Sequence, residues 1–434
     1  MKQLTLGTVI ILLGLLSGCQ TSSLPGKQPT SANSTSGSNA TQPLIPTIQT
    51  AVNRAEGDSN YQSLEAHKAE AIALPLNVTS QKDRSATPIE FYQSSGHPTP
   101  SAAALAALSS CEQAREKNTN KTHPCELRKR NNQLIHNTWE LTSGLTPDRP
   151  AFLWQIQTQD TRVYLAGSIH VLKPTIAPPP SYVEAFQQAT TLVLEVDQRN
   201  QTPEQLQSLG QRFALLPQGT TLTQLLKPAE YANVLEYLSS LGADTTTANF
   251  LKPAMILLQA AILEYTSIGY LPQHGIESVF EAELGNRQLV GLETLEEQFA
   301  AATALPLELQ AELLVETVAQ ADGTSEEIST LVHAWLSGDE DYLAGQFEDT
   351  TDSVAARQWL DDLLLKRNRV MAKGIDALLR GADERVSGAP AQTIFVLVGA
   401  AHLVGPDSVV ELLEAQGYSL ERLGYNTLNG LETN

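Results

Sequence analysis

Short apolar runs separated by helical windows dominate the chain after residue 152, and they most constrain what it can fold into. The runs cover residues 162–166, 191–196, 287–291 and 393–398, and three of them are almost uninterrupted. Such runs are typical of parallel strands whose two faces are both covered by helices. Helical patterns fill most of residues 210–380, including windows at 251–265, 307–321 and 351–379. We therefore predict an α/β fold with a mixed central sheet, flanking helices and a large helical insertion.

The N-terminus has the organisation of a bacterial lipoprotein precursor. Lys2 precedes an apolar segment at residues 4–16, and Leu16-Ser17-Gly18-Cys19 matches a lipobox. We expect a signal peptide at residues 1–19 and an acylated Cys19 that anchors the protein. The alternative is an ordinary signal peptide in which Cys19 falls near the cleavage site by chance. Gln20 replaces the Asp of the inner-membrane retention signal. The predicted location is therefore the cell envelope, as an outer-membrane lipoprotein facing the periplasm or at the cell surface.

Composition divides the rest of the chain into three parts. Residues 20–50 are mostly Ser, Thr, Gln, Asn, Gly and Pro, so we predict a disordered tether. Residues 51–145 mix short helical patterns with turn-rich segments and predict a small N-terminal module of unknown role, followed by a large domain at 146–434. Cys111 and Cys125 both lie in this module, and in an oxidising compartment we expect them to form a disulfide. The alternative is two unrelated buried thiols.

Charge and hydropathy exclude two classes of protein. The chain has 48 acidic and 28 basic side chains, a net charge of −20, whereas nucleic-acid binding requires clustered Lys and Arg. We therefore expect no nucleic-acid partner. Beyond the N-terminal segment, no apolar run reaches the roughly 18 residues of a membrane-spanning helix. We expect membrane contact only through the lipid anchor.

Two copies of one motif follow the first and last of the apolar runs. Each run ends in Gly-x-x-His, at Gly167–His170 and at Gly399–His402, and a proline follows four residues later. Glycine permits a sharp turn at the strand end, which places each histidine at the carboxyl edge where α/β sheets bind ligands. His170 and His402 could therefore converge on one metal ion or form an acid/base pair. The alternative is that each histidine is a structural hydrogen-bonding residue.

Charged side chains accompany the same strand ends. Glu195 and Asp197 alternate at the end of the second run, so both face one side of the sheet. A buried acid there needs a partner such as a metal ion or a histidine, although an exposed pair is the alternative. Glu293 follows the third run by two residues, and Glu277 opens a helical window where a carboxylate also suits the helix dipole. Arg367 lies in a long helix and could provide a cation that binds an oxyanion or a carboxylate.

A series of short motifs in a fixed order resembles the TraB/GumN family from about residue 152 to residue 423. The motifs are Tyr164–Leu172, Leu192–Asp197, Lys252–Ala254, Gly275–Glu277, Gly291–Thr294, Arg367–Asn368, Val398–Pro406 and Gly417–Tyr418. The family includes the animal Tiki proteins, which are metal-dependent proteases that cleave Wnt ligands. It also includes proteins that lower the amount of a secreted peptide pheromone. Its fold is similar to that of erythromycin esterases and of the haem-binding lipoprotein ChaN.

The resemblance implies a peptidase that uses a divalent ion, namely Mn, Co or Zn. It places His170 and His402 as metal ligands or catalytic groups, with Glu195 as a further candidate ligand. Glu195, Glu277 and Arg367 are the candidate catalytic residues, and the expected substrate is a peptide or a secreted protein. Two alternatives remain open: a lipoprotein that sequesters a peptide or haem without turnover, and a metal-free esterase-like hydrolase with the histidines as bases.

Overall fold

The computed structural model describes residues 64, 67–73, 90–117, 124–131, 133–199, 201–321, 324–348, 353–383, 385–386 and 392–428. The predicted signal peptide, the acylated Cys19 and the tether lie outside the described residues. Within them, no helix is both long enough and apolar enough to cross a membrane.

A six-stranded mixed sheet forms the centre of the large domain. Its strands, in chain order, are β5 (Pro150–Gln157), β6 (Thr161–Ser168), β7 (Thr191–Val196), β8 (Gln288–Glu293), β9 (Gln392–Gly399) and β10 (Leu420–Gly424). The spatial order is β10-β5-β6-β9-β7-β8, and β6, β9, β7 and β8 are parallel. The two strands before the Gly-x-x-His motifs are therefore neighbours. The antiparallel strands β5 and β10 form one edge and were not predicted. The α/β prediction is confirmed.

Helices connect these strands and account for the large insertion. The helices in the large domain are α3 (Pro180–Gln188), α4 (Pro203–Leu209), α5 (Leu222–Leu225), α6 (Pro228–Ser240), α7 (Pro253–Ser267), α8 (Ile276–Ala282), α9 (Leu295–Ala302), α10 (Leu307–Ala319), α11 (Thr324–Ser337), α12 (Glu340–Glu348), α13 (Val354–Leu360), α14 (Lys366–Leu379) and α15 (Val409–Ala415). The window predicted as one helix at 351–379 is α13 and α14 joined by a π-helical turn, Asp361–Leu365, and the Ser353 side chain caps its start. A π-turn adds a residue to a helix and so rotates the next helical segment, here α14 with Arg367.

The turn after β6 is fixed by tight packing around Gly167. A Cβ at Gly167 would lie 3.0 Å from Ala400 Cα and 3.0 Å from Phe152 Cβ, so glycine favours the close packing of the end of β6 against the turn after β9 and against β5. Two buried aromatic side chains donate hydrogen bonds to the Gly167 carbonyl, Tyr182 at 2.8 Å and Trp335 at 2.9 Å. The backbone before His170 is therefore held on several sides.

The N-terminal module contains a small sheet that the sequence analysis did not predict. Its strands are β1 (Ala69–Ala73), β2 (Glu90–Ser94), β3 (Glu126–Arg130) and β4 (Gln133–Leu134), paired antiparallel in the order β2-β1-β3-β4. Helix α1 (Pro100–Lys117) packs on this sheet, and the short helix α2 (Thr138–Leu141) comes after β4. The predicted disulfide between Cys111 in α1 and Cys125 beside β3 is confirmed.

Candidate active site

Four parallel strands deliver polar side chains to one edge of the central sheet. Ser168, the last residue of β6, is in register with Gly399, the last of β9, and Val196 of β7 is in register with Glu293 of β8. His170 follows β6 by two residues, and His402 lies in the 3-10 turn Ala400–Leu403 after β9. Parallel strands end at the same edge, so both histidines lie at the edge that the sequence predicts.

His402 is held as a neutral imidazole with one nitrogen unpaired. Its Nδ1 lies 2.6 Å from Asn368 Oδ1, while Asn368 Nδ2 donates to the Asp407 carbonyl at 2.9 Å. That carbonyl can only accept, so Asn368 presents its oxygen to His402, and Nδ1 carries the proton. Burial lowers the pKa of His402 to about 3, against the opposing charge of Glu195. The Nε2 nitrogen is therefore unprotonated, and it has no hydrogen-bond partner.

Glu195 lies beside this nitrogen as a buried, ionised carboxylate. Its Oε1 is 3.7 Å from His402 Nε2 and accepts a hydrogen bond from the Gly399 amide at 2.7 Å. Its Oε2 accepts from Arg367 at 2.5 Å and from Gln298 at 3.1 Å. Burial alone would raise the pKa of Glu195, but Arg367 and the two histidines lower it to about 2. Glu195 thus accepts hydrogen bonds from three donors. Its predicted role as a metal ligand stays a prediction.

Arg367 joins two buried carboxylates. Its Nε lies 3.0 and 3.2 Å from the two oxygens of Glu293, its Nη2 contacts Glu195, and its Nη1 donates to the Leu363 carbonyl. Burial would lower the pKa of Arg367, but the two carboxylates raise it above its usual value. Of the two options predicted for Arg367, the structure places it against carboxylates. Asp197 lies apart from this cluster, because it pairs with Arg199 at 2.8 Å.

His170 lies against the carboxylate of Glu277. Its Nδ1 is 2.8 Å from Glu277 Oε1, although the ring N–H direction is out of line for a hydrogen bond. Ser168 donates its hydroxyl to the same carboxylate oxygen. Burial would lower the pKa of His170, but Glu277 and then Glu195 raise it above its usual value. Glu277 is in the first turn of α8, where the helix dipole also favours a carboxylate.

The contact between Gly275 and His170 sets the position of Glu277. A Cβ at Gly275 would lie 2.2 Å from the His170 carbonyl oxygen, and the next amide, that of Ile276, donates to Ile169 at 3.1 Å. The start of α8 therefore packs directly on the backbone of His170. This explains why a glycine precedes Glu277 by two residues.

The two histidines supply nitrogens suited to a divalent ion. Nε2 of His170 and Nε2 of His402 are both buried without a hydrogen-bond partner, whereas Nδ1 of His170 faces Glu277. A ligand imidazole usually has its second nitrogen fixed by another side chain, as Asn368 fixes that of His402. In the part of the chain that the structure describes, however, no three His, Cys, Asp or Glu side chains form a group that could hold a metal ion. Each imidazole thus has one nitrogen free of hydrogen bonds, and Glu277 is the carboxylate in contact with His170.

Sequence reasoning missed two residues of this site. Asn368 adjoins Arg367 in a family motif, so its position was visible, but its contact with His402 was not. Gln298 lies on α9 and reaches Glu195 with no motif around it to indicate this. Amide side chains that orient a catalytic group carry no pattern of their own in a single sequence.

Replacing Gly275 by alanine should destabilise the protein by about 2 kcal/mol, because the added Cβ cannot be accommodated without backbone movement. Gly345→Ala is the matched control, since a Cβ at Gly345 in α12 meets nothing within 4 Å. That control should be neutral or stabilising by up to about 1 kcal/mol. Denaturant unfolding of both variants measures the difference, and equal stabilities would contradict the packing argument.

Arg367→Met should cost about 3–5 kcal/mol of stability, because it leaves two buried carboxylates without their cation. Arg380, at the end of the same helix, pairs with Asp376 at the surface, so Arg380→Met should have little effect. The measurement is the free energy of unfolding of each variant at neutral pH. A loss for Arg367→Met no larger than that for Arg380→Met would show that the cluster does not stabilise the fold.

The chain is similar to known proteins over most of its large domain. The model for the TraB/PrgY/gumN family matches residues 152–422. A zebrafish (Danio rerio) protein named Metalloprotease TIKI1 is 26% identical over 324 residues, which cover 63% of this chain and 63% of the relative. The chain thus spans less than two thirds of that relative's length, and no solved structure matches it. The chain belongs to the TraB/PrgY/gumN family.

Proposed function

We propose that the protein is a metal-dependent peptidase, anchored by lipid in the cell envelope, that cleaves a peptide or a secreted protein. The observation that carries this proposal is the state of His402: buried and neutral, with Nδ1 bound to Asn368 and Nε2 unpaired. This is the form in which an imidazole binds a metal ion. The similarity to a protein named as a metalloprotease supports the same assignment.

In this proposal, His170 and His402 hold a divalent ion, namely Mn, Co or Zn. The bound ion would polarise the scissile carbonyl and lower the pKa of a water molecule. Glu277 lies 2.8 Å from His170 and serves as a further ligand or as the general base that accepts the proton of water. Glu195 supplies a fixed negative charge 3.7 Å from His402 Nε2 and is a further candidate ligand for the ion. Arg367 acts by holding Glu195 ionised and in place.

Two observations favour a second candidate, a metal-free hydrolase. Among the described residues no ready group of three metal-binding side chains occurs, and the raised pKa of His170 beside Glu277 suits a histidine that accepts and returns protons. Such an enzyme would keep its activity in a chelator. A sequestering protein for a peptide or haem would bind without turnover.

The test is peptide hydrolysis by the full-length protein with added Mn²⁺, Co²⁺ or Zn²⁺ and after chelation. We expect chelation to abolish hydrolysis. His170→Ala and His402→Ala should each cost more than the about 10–100-fold loss caused by removing a supporting residue. The double variant should be no worse than either single one, because a site without its ion has little activity left to lose.

His97→Ala is the control, since His97 bonds to Ser94 in the N-terminal module and lies outside the site. It should retain full activity. Thermal melts of all variants establish that the losses do not arise from unfolding. Hydrolysis that survives both chelation and the double substitution would refute the proposal, and hydrolysis that survives chelation alone would favour the metal-free enzyme.

The proposal of a lipid anchor rests on the lipobox, in particular on Cys19, which lies outside the described residues. We expect the wild-type protein expressed in bacteria to incorporate labelled palmitate and to fractionate with membranes. Cys19→Ser should abolish both, because Cys111 and Cys125 are bonded to each other and offer no free thiol for acylation. Label in the Cys19→Ser variant would rule out this anchor.

A further inference from the structure

The segment that carries His170 is irregular, so its position depends on what packs against it. We call residues 169–176 the His170 loop. It contains one isolated bridge, between Leu172 and Leu271, and no helix or strand beyond that. The start of α8 supports it at Ile169 and His170. The bridge to Leu271 holds Leu172, and the remainder, from Lys173 onwards, needs a further support.

Lys173 in this loop is buried against the N-terminal module. Its side chain is 1% exposed, its Nζ donates to the His136 carbonyl, and Nζ lies 3.6 Å from Glu126 Oε2. The ring of Tyr270 lies 5.1 Å from the ammonium and closes the site from the large domain. A buried ammonium is stable only when paired. The loop therefore cannot separate from the module without leaving the buried charges of Lys173 and Glu126 unpaired.

The module holds Glu126 rigidly from its own side. The Thr138 amide donates to Glu126 Oε2 at 2.9 Å, and the preceding residue, Cys125, is cross-linked to Cys111 in α1. Thr138 also contacts the loop, because its hydroxyl lies 2.5 Å from that of Thr175. Two residues of the His170 loop are thus held by a disulfide-bonded unit.

We infer that Glu126 of the N-terminal module and Lys173 are positioning residues that set the orientation of His170, so that this part of the module supports the active site. The module lies outside the region that the family comparison matches, which begins at residue 152. The catalytic consequence rests on the proposed function, whereas the geometric claim stands without it. Burial lowers the pKa of Lys173, and the carboxylates of Glu126 and Glu140 in the module oppose this effect.

The experiment compares Glu126→Gln with Glu70→Gln in the full-length, metal-free protein. Glu70 is the matched control: it is a buried glutamate of the same small sheet, paired with Lys129 at 3.4 Å and with Gln93, and it does not contact the His170 loop. Histidine ring resonances are recorded by ¹H–¹⁵N NMR, and that of His170 is assigned by its loss in His170→Gln. The sequence has eight histidines, which makes this assignment practicable.

We expect Glu126→Gln and Lys173→Met each to shift the His170 resonance while leaving that of His402 in place. Glu70→Gln should shift neither. As a second readout, Co²⁺ alone should bind about tenfold more weakly to Glu126→Gln, the usual cost of losing a supporting contact, and within about twofold of wild type to Glu70→Gln.

An unchanged His170 resonance in folded Glu126→Gln and Lys173→Met would overturn the inference. Should either single variant fail to fold, the double variant replaces it, because it leaves no buried charge unpaired, and the same shift is expected. If the wild-type protein binds no Co²⁺, the proposed function fails, but the NMR comparison still decides whether the module positions His170.

Discussion

The buried ion cluster of Glu195, Arg367 and Glu293 is the constraint on which the rest of the candidate site depends. Its members come from β7, α14 and β8, and each is at most 7% exposed. No one of these charges is stable in the interior without the others, because unpaired burial costs several kcal/mol. Glu195 also accepts the Gly399 amide, so the cluster holds the end of β9. One set of contacts thus aligns three strands and a helix before either histidine is considered.

Two copies of the same local motif acquire different chemistry at this edge. His402 is neutral because it is buried near Arg367, and its proton is directed by Asn368. His170 holds a proton more readily because Glu277 contacts it and Glu195 adds to the negative field. Sites that divide roles between similar groups commonly do so by shifting their pKa values in opposite directions. Here the neighbouring side chains, and not the motif, create the difference in pKa between the two histidines.

The elements that were predicted well are those whose signal is local. Strand β7 occupies residues 191–196 as predicted, because a strand buried on both faces is a plain apolar run. Strand β1 has the sequence Ala-Glu-Ala-Ile-Ala, whose residues favour a helix, and it is a strand only because β2 and β3 pair with it. Strand β5 and its antiparallel neighbour β10 were also missed. The π-turn before α14 has no sequence signature at all.

By itself, the sequence determined the α/β class, the buried parallel strands, the disulfide and the placement of two histidines after strand ends. Apolar runs, glycine turns and cysteine pairs act over a few residues or through a simple chemical rule, so they can be read directly. Only the tertiary structure decided that β6 and β9 are neighbours, that Glu277 faces His170 while Glu195 faces His402, and that Glu126 reaches Lys173. Those pairings join residues far apart in the chain, and their energies depend on burial and on the partners that burial leaves available.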